Sequence, residues 1–298
     1  MEKIGLVVEG GGMKCAYSAG VLDKFIDCGI NFDYVIGVSA GSANTASYLA
    51  GQRDRNLRFY TDYTDDPKYL SIKNFFEDGQ VFGLQYIYGT LSNSDGLDPL
   101  DFEALKNNPA EYEIVATRRA DGKPVYFNKS DLKPDDYTAI MASCALPVYC
   151  KPVKYKGKYY YDGGVSDAIP AKRAFDRGCD RIVVITSKPR GFVKKPEGAK
   201  HIYHQVLKDF PNLVDAIDNR HVMYQKAMRQ LKKYESEGKA FVFAPSNPPK
   251  MSSFTKDPAT ERELYDLGLS DFENLKADLL TFLNKSDSVK DVQVKRVI

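Results

Sequence analysis

The chain has 298 residues, 43% of them hydrophobic and 28% charged, with a formal net charge of +2. That length supports one α/β domain, or one and a half, around a large core. The near-neutral balance excludes a global attraction to nucleic acid or acidic lipid, so any such binding needs a local patch.

Ile4-Gly5-Leu6-Val7-Val8 is a continuous apolar run, as expected of a strand buried on both faces of a parallel sheet. Glu9-Gly10-Gly11-Gly12-Met13-Lys14 follows, and three glycines without Cβ atoms let backbone N–H groups turn toward one point. Tyr17, Val21, Leu22, Phe25 and Ile26 then recur at helical spacing, with Cys28-Gly29 as the stop. Phe32 to Val38 reads as the second strand, and it delivers Gly37-Val38-Ser39-Ala40-Gly41. In such a G-x-S-x-G elbow the serine sits on a sharp strand-to-helix turn. The small residues from Ser42 to Ala50 predict a helix packed close beneath it, its first N–H groups facing any negative charge beside Ser39. By itself the pattern also fits a plain glycine-bounded turn.

The glycine turn has two readings. A dinucleotide-binding G-x-G-x-x-G is imperfect, because Cys15 stands at its third glycine and no acidic residue ends the second strand. The favoured reading is an oxyanion hole, with the Gly10, Gly11 and Gly12 N–H groups facing Ser39 across neighbouring parallel strands ~5 Å apart.

Aromatics accumulate through residues 53–110, among them Phe59, Tyr60, Tyr69, Phe82 and Tyr88. This stretch reads either as a cap with an apolar channel over the serine or as an excursion with its own small core. Strands are expected at Tyr112–Thr117 and Pro124–Phe127, the latter after the Asp121-Gly122 turn. Ile140 to Tyr149 reads as a short helix stopped by Pro147, and Tyr155 to Tyr161 as a hairpin about Gly157 leading into Asp162-Gly163-Gly164. A helix opening at Pro170 and a buried strand at Arg181–Thr186 complete the core.

Lys188, Arg190, Lys194, Lys195, Lys200 and Lys208 then face the single acid Glu197. That stretch reads as a solvated loop, or as a patch for anionic head groups. A long charged helix over Leu213–Tyr234, a strand at 240–244, one or two amphipathic helices over Asp257–Leu283 and a frayed tail from Lys285 follow. No apolar run reaches the ~20 residues of a membrane span. Five cysteines without C-x-x-C spacing read as reduced thiols, and no signal-peptide pattern opens the chain, so the expected compartment is the cytoplasm.

Four motifs now stand in one order: Gly10-Gly11-Gly12-Met13-Lys14, the Gly37-to-Gly41 elbow, Ser143-x-Ala145-x-Pro147 and Asp162-Gly163-Gly164. In this the chain resembles the bacterial cytoplasmic members of the patatin-like phospholipases. The resemblance implies a three-layer α/β fold with a mostly parallel central sheet and a helical C-terminal extension. It implies a catalytic core over residues 1–190, with 191–298 a mostly helical part of the same domain. It further implies a Ser39–Asp162 dyad, an oxyanion hole at Gly10–Gly12, and supporting roles for Lys14, Gly37, Gly41, Gly163 and Gly164. The implied reaction is hydrolysis of phospholipid or lysophospholipid esters, without metal or cofactor. Cys15 departs from the family's third glycine, and Lys14 stands where arginine is common and lacks its bidentate fork.

A serine hydroxyl needs a base, and the three histidines, His201, His204 and His221, all follow Asp162. They lie in polar segments and read as surface residues, and H-x-x-H at 201–204 lacks a third metal ligand. An aspartate of ordinary pKa (~3.9) is a weak base, so the oxyanion hole must carry much of the barrier reduction. The expected partner is a lipid or small ester, with peripheral membrane contact left open and no nucleic acid. A nucleotide-binding protein and a catalytically silent lipid-binding scaffold are the competing readings.

Overall fold

A computed structural model describes residues 2–71, 74–76 and 79–284. Its strands are β1 (Ile4–Val8), β2 (Tyr34–Val38), β3 (Glu111–Arg118), β4 (Pro124–Asn128), β5 (Val153–Tyr155), β6 (Lys158–Asp162), β7 (Arg181–Ile185) and β8 (Ala240–Phe243). All eight join one sheet. Five run parallel in the order β3-β2-β1-β7-β8, while β4, β5 and β6 are antiparallel additions at the β3 end. Strands β1, β2 and β7 are continuous apolar runs buried along nearly their whole length, whereas β3 carries buried Glu113, which pairs with Arg173 at 2.7 Å. β2 starts at Tyr34 rather than Phe32, since the Asp33 carboxylate takes the Ile4 N–H at 2.7 Å in place of a ladder partner.

The helices are α1 (Ala16–Asp27), α2 (Ala40–Leu49), α3 (Arg55–Thr61), α4 (Phe102–Asn107), α5 (Thr138–Cys144), α6 (Ala171–Asp176), α7 (Lys200–Val206), α8 (Pro211–Ser236) and α9 (Pro258–Leu283). A π-helical turn spans Gln85–Leu91. Helix α5 ends at Cys144, before the Pro147 expected to stop it. Pro147 disfavours helical backbone before it, and the Ala145 carbonyl accepts the Asp162 N–H at 2.7 Å instead.

The expected one or two C-terminal helices form a single helix, α9, opened by Pro258 and capped by Asp257. It lies on α1, where a Cβ on Gly20 would stand 2.2 Å from the Tyr265 carbonyl oxygen, so only glycine permits this approach. Tyr17 donates to Asp271 at 3.0 Å and Tyr265 donates to Asp23 at 2.8 Å across the same contact. Phe25 of α1 packs edge-on to Phe243 and Phe272, each 5.8 Å away, which fixes α1 between sheet and α9. The tail expected to fray from Lys285 lies outside the described residues.

Candidate active site

Strand β3 is the ruler of the site. Along Glu113–Thr117 its one edge is taken by β4, so β2 and β6 share the other. β2 ends with Val38 opposite Val115, and β6 ends with Asp162 opposite Ala116. The two strands therefore meet head-on, and Ser39 and Asp162 arrive together although far apart in sequence. The segment Ser143-x-Ala145 clamps both ends. The Ser143 hydroxyl accepts from the Ser39 N–H at 2.8 Å and donates to the Val115 carbonyl at 2.6 Å. Ala145 holds the Asp162 N–H, and Thr117 donates to the Asp162 carbonyl at 2.8 Å.

Ser39 sits at φ 55°, ψ −134°, a backbone position few non-glycine residues adopt. Its strain is held by the Ser143 clamp and by α2, which starts at the next residue. Gly37 lies against Ser42, and Gly41 against the Val8 and Glu9 carbonyls, so α2 presses onto the ends of β2 and β1. A Cβ on Gly10 would stand 2.7 Å from the Ser39 Cβ, which places the glycine loop directly beside the serine.

The loop is braced from behind. Ser187 follows β7, and its hydroxyl donates to the Gly10 carbonyl at 2.7 Å while its N–H donates to Glu9 Oε2 at 2.8 Å. In a trans peptide the N–H opposes the carbonyl, so the Gly11 N–H points away from Ser187. Among the described residues, the N–H groups of Gly10, Gly11 and Gly12 donate no hydrogen bond within the protein. Buried Glu9 pairs with Lys188, and that ion pair underlies the loop. Lys14 is half-buried nearby; burial and the charge of Lys188 push its pKa down. Cys15 is fully buried, its thiol pushed up to about 12 by desolvation, and its carbonyl accepts from Asn44 at 2.9 Å. It fills space under the loop as a small apolar side chain.

Asp162 is 1% exposed. Its Oδ1 accepts the Gly164 N–H at 2.7 Å, whereas Oδ2 has no fully formed hydrogen bond among the described residues. Desolvation raises its pKa above the ordinary carboxylate value, opposed by the charge of Arg220, the Ser39 hydroxyl, the Gly164 N–H and the charge of Lys188. Gly163 lies against the Val115 carbonyl, which sets the turn after β6.

Two cavities open on Ser39. One is lined mainly by apolar side chains, including Ala43, Phe59, Tyr60, Ile87 and Ile140. The other is lined by Gly10–Gly12 and Asp162 together with Glu9, Lys188, Lys194, Glu197 and Arg220. Lys194 and Arg220 both pair with Glu197, at 2.9 and 3.0 Å. Within the basic stretch Arg190 pairs with Glu235 and Lys200 with Asp218, so four of its six cations are engaged in ion pairs. None of the three histidines lines either cavity; His204 bonds Asp218 at 3.0 Å, and His221 lies against the Asp218 carbonyl. Among the described residues no group of three or more His, Cys, Asp or Glu side chains is placed to hold a metal, and no helix is long and apolar enough to cross a membrane.

The family model described as patatin-like phospholipase matches residues 6–175, more than half of the chain. The chain belongs to the patatin-like phospholipase family. A second model, a domain of unknown function, matches residues 210–284. The uncharacterized protein YjjU of Escherichia coli is 28% identical over 270 residues, covering 89% of this chain and 75% of that protein. The omega-hydroxyceramide transacylase of Mus musculus is 26% identical over 179 residues, covering 54% of this chain and 27% of that protein. The crystal structure of VipD from Legionella pneumophila aligns with a TM-score of 0.48 at 13% identity, covering 92% of this chain and 67% of that one.

The patatin-like segment thus holds Ser39, Asp162 and the glycine loop, while Ser187, Lys188, Lys194 and Arg220 reach the same place from beyond it. Sequence reasoning singled out neither Glu9 nor Ser187 as a brace. The available signal was position: both follow parallel strands at their carboxyl ends, where α/β sheets place their sites.

Proposed function

We propose that the protein is a serine acyl hydrolase cleaving carboxylic esters of phospholipids or lysophospholipids through a Ser39–Asp162 dyad. The observation that carries this reading is the head-on meeting of Ser39 and Asp162 on one edge of β3, at the mouth of an apolar cavity. Asp162 takes the Ser39 proton as Oγ attacks the ester carbonyl carbon. The resulting oxyanion is held by the unengaged N–H groups of Gly10–Gly12 and by the first N–H groups of α2; each such donor is worth about 10²–10³ in rate. Collapse breaks the bond to the alcohol, which leaves with the proton from Asp162. Water then gives a proton to Asp162 and attacks the acyl carbon, and the released Ser39 regains that proton.

Family chemistry covers lipid acyl hydrolysis and acyl transfer, and an acyl-enzyme serves both. With an alcohol in place of water the same intermediate gives transfer, the type of reaction named for the mouse relative. Burial improves Asp162 as a base, since a raised pKa brings it closer to the working pH. The acyl chain lies in the apolar cavity, where each buried CH₂ contributes about 0.8 kcal/mol.

The test is labelling with a fluorophosphonate, read by intact mass and peptide mapping. One adduct on Ser39, absent from Ser39→Ala, is expected. An unlabelled wild-type protein, with detergent or lipid added, would overturn the reading.

A further inference from the structure

We propose that Arg220, carried by helix α8 outside the patatin-like segment, is a positioning residue for the Asp162 base. This rests on the assignment of Asp162 as the base. Its consequence is that the region matched as a domain of unknown function completes the active site.

The contact is built through one residue. Arg220 Nε donates to the Gly164 carbonyl at 2.7 Å, and the Gly164 N–H donates to Asp162 Oδ1 at 2.7 Å. A Cβ placed on Gly164 would stand 3.2 Å from Arg220 Nη2 and 3.0 Å from Asp162 Oδ1. The guanidinium and the carboxylate therefore flank Gly164 within roughly 6 Å of one another, close enough for direct electrostatic coupling. Glu197 fixes the far side of the guanidinium by its ion pair with Nη1 and is itself held by Lys194. Arg220 is one-fifth exposed at the rim of the charged cavity, and its Nη2 has no hydrogen-bond partner among the described residues.

Two effects follow. The grip on the Gly164 carbonyl anchors the Gly164–Val165 peptide, and through the Gly164 backbone it limits rotation of the preceding Gly163–Gly164 peptide, whose N–H holds Oδ1 while Oδ2 is left for the serine proton. The positive charge offsets the cost of an ionised carboxylate in a buried place. Lys188 faces Asp162 from the segment after β7, Ser39 from the elbow, and the neutral thiols of Cys15, Cys144 and Cys150 surround it; Arg220 supplies the largest opposing charge. Losing that charge makes the base protonate more readily, so activity fails first on the acid side.

The experiment measures kcat/KM for a short-chain p-nitrophenyl ester against pH in wild type, Arg220→Gln and Arg220→Lys. In parallel, the Asp162 carboxyl is titrated by carbon-13 NMR, assigned with Asp162→Asn. Arg220→Gln is expected to lose about tenfold more activity at the acid end than on the alkaline plateau, with KM little changed. The Asp162 signal should titrate at higher pH in this variant. Arg220→Lys, which restores charge without the fork, should return the acid limb toward wild type while leaving a reduced plateau. A uniform loss at every pH in both variants, or coincident Asp162 titrations, would overturn the proposal. If wild type neither hydrolyses ester nor labels at Ser39, the hydrolase reading fails. The carboxyl titration then still decides the coupling of Arg220 to Asp162.

Discussion

On one side of Ser39 the walls are Phe59, Tyr60, Ile87 and Ile140; on the other they are Glu9, Lys188, Lys194, Glu197 and Arg220. The apolar walls come from α2, α5 and the excursion between β2 and β3, which no strand of the main sheet interrupts. The charged walls come from the carboxyl end of β1, from the segment after β7 and from α8. The two sides can hold different groups. A mainly apolar wall stabilises a hydrocarbon chain, its one lining cation, Arg55, being paired with Asp98, whereas ion pairs at a cavity rim keep water and polar groups in place. Lys188 pairs with Glu9, and Lys194 and Arg220 both pair with Glu197, so this rim orders its own groups rather than presenting a bare cationic patch.

The largest effect belongs to the junction itself. Asp162→Asn should lower turnover by about 10³-fold or more, because the serine proton then has no acceptor. The same variant should be more stable at neutral pH, by on the order of 1 kcal/mol. The sign follows from the raised pKa of buried Asp162. A group raised in the folded state supports folding fully at low pH and loses that support as pH rises through its folded value. The asparagine variant avoids this loss, so its advantage in thermal midpoint should shrink as pH falls. An inactive variant with lower stability at neutral pH would show that the carboxylate is held by more than Arg220, Lys188 and Gly164.

A smaller effect belongs to the apolar wall. Ala43→Phe puts a ring where a chain would run, so kcat/KM for a dodecanoyl ester should fall about 10- to 100-fold while an acetyl ester is spared. Equal loss on both esters would place the acyl chain elsewhere. The smallest effect belongs to the charged wall. Lys194→Gln removes one partner of Glu197 and leaves Arg220, so steady-state rates should change by about threefold or less. A tenfold loss confined to phosphate-bearing esters would instead make this wall a head-group site.

The central strands β1, β2, β7 and β8 were legible as short, nearly unbroken apolar runs, and β4 to β6 by the aromatic residues flanking their turns. The elbow and the Asp162-Gly163-Gly164 turn were legible because sharp turns admit few residue types. The long α9 was legible as amphipathic, but its seat on α1 was not, since the close approach of Gly20 to the Tyr265 carbonyl leaves no trace in hydrophobic spacing. The ion pairs were not legible: Lys188, Lys194 and Arg190 stand in a run of cations, and their partners Glu9, Glu197 and Glu235 are mostly distant in sequence.

Local turns, and the candidate residues set on them, could be read from the sequence because they depend on neighbours along the chain. The tertiary structure alone brings β2 and β6 end to end on β3, with Ser143 clamping the junction, Ser187 bracing the glycine loop beside it and Arg220 gripping the Gly164 carbonyl. The reason is physical. Strand register and helix docking are fixed by burial summed over the whole core, and no short stretch of sequence carries that sum.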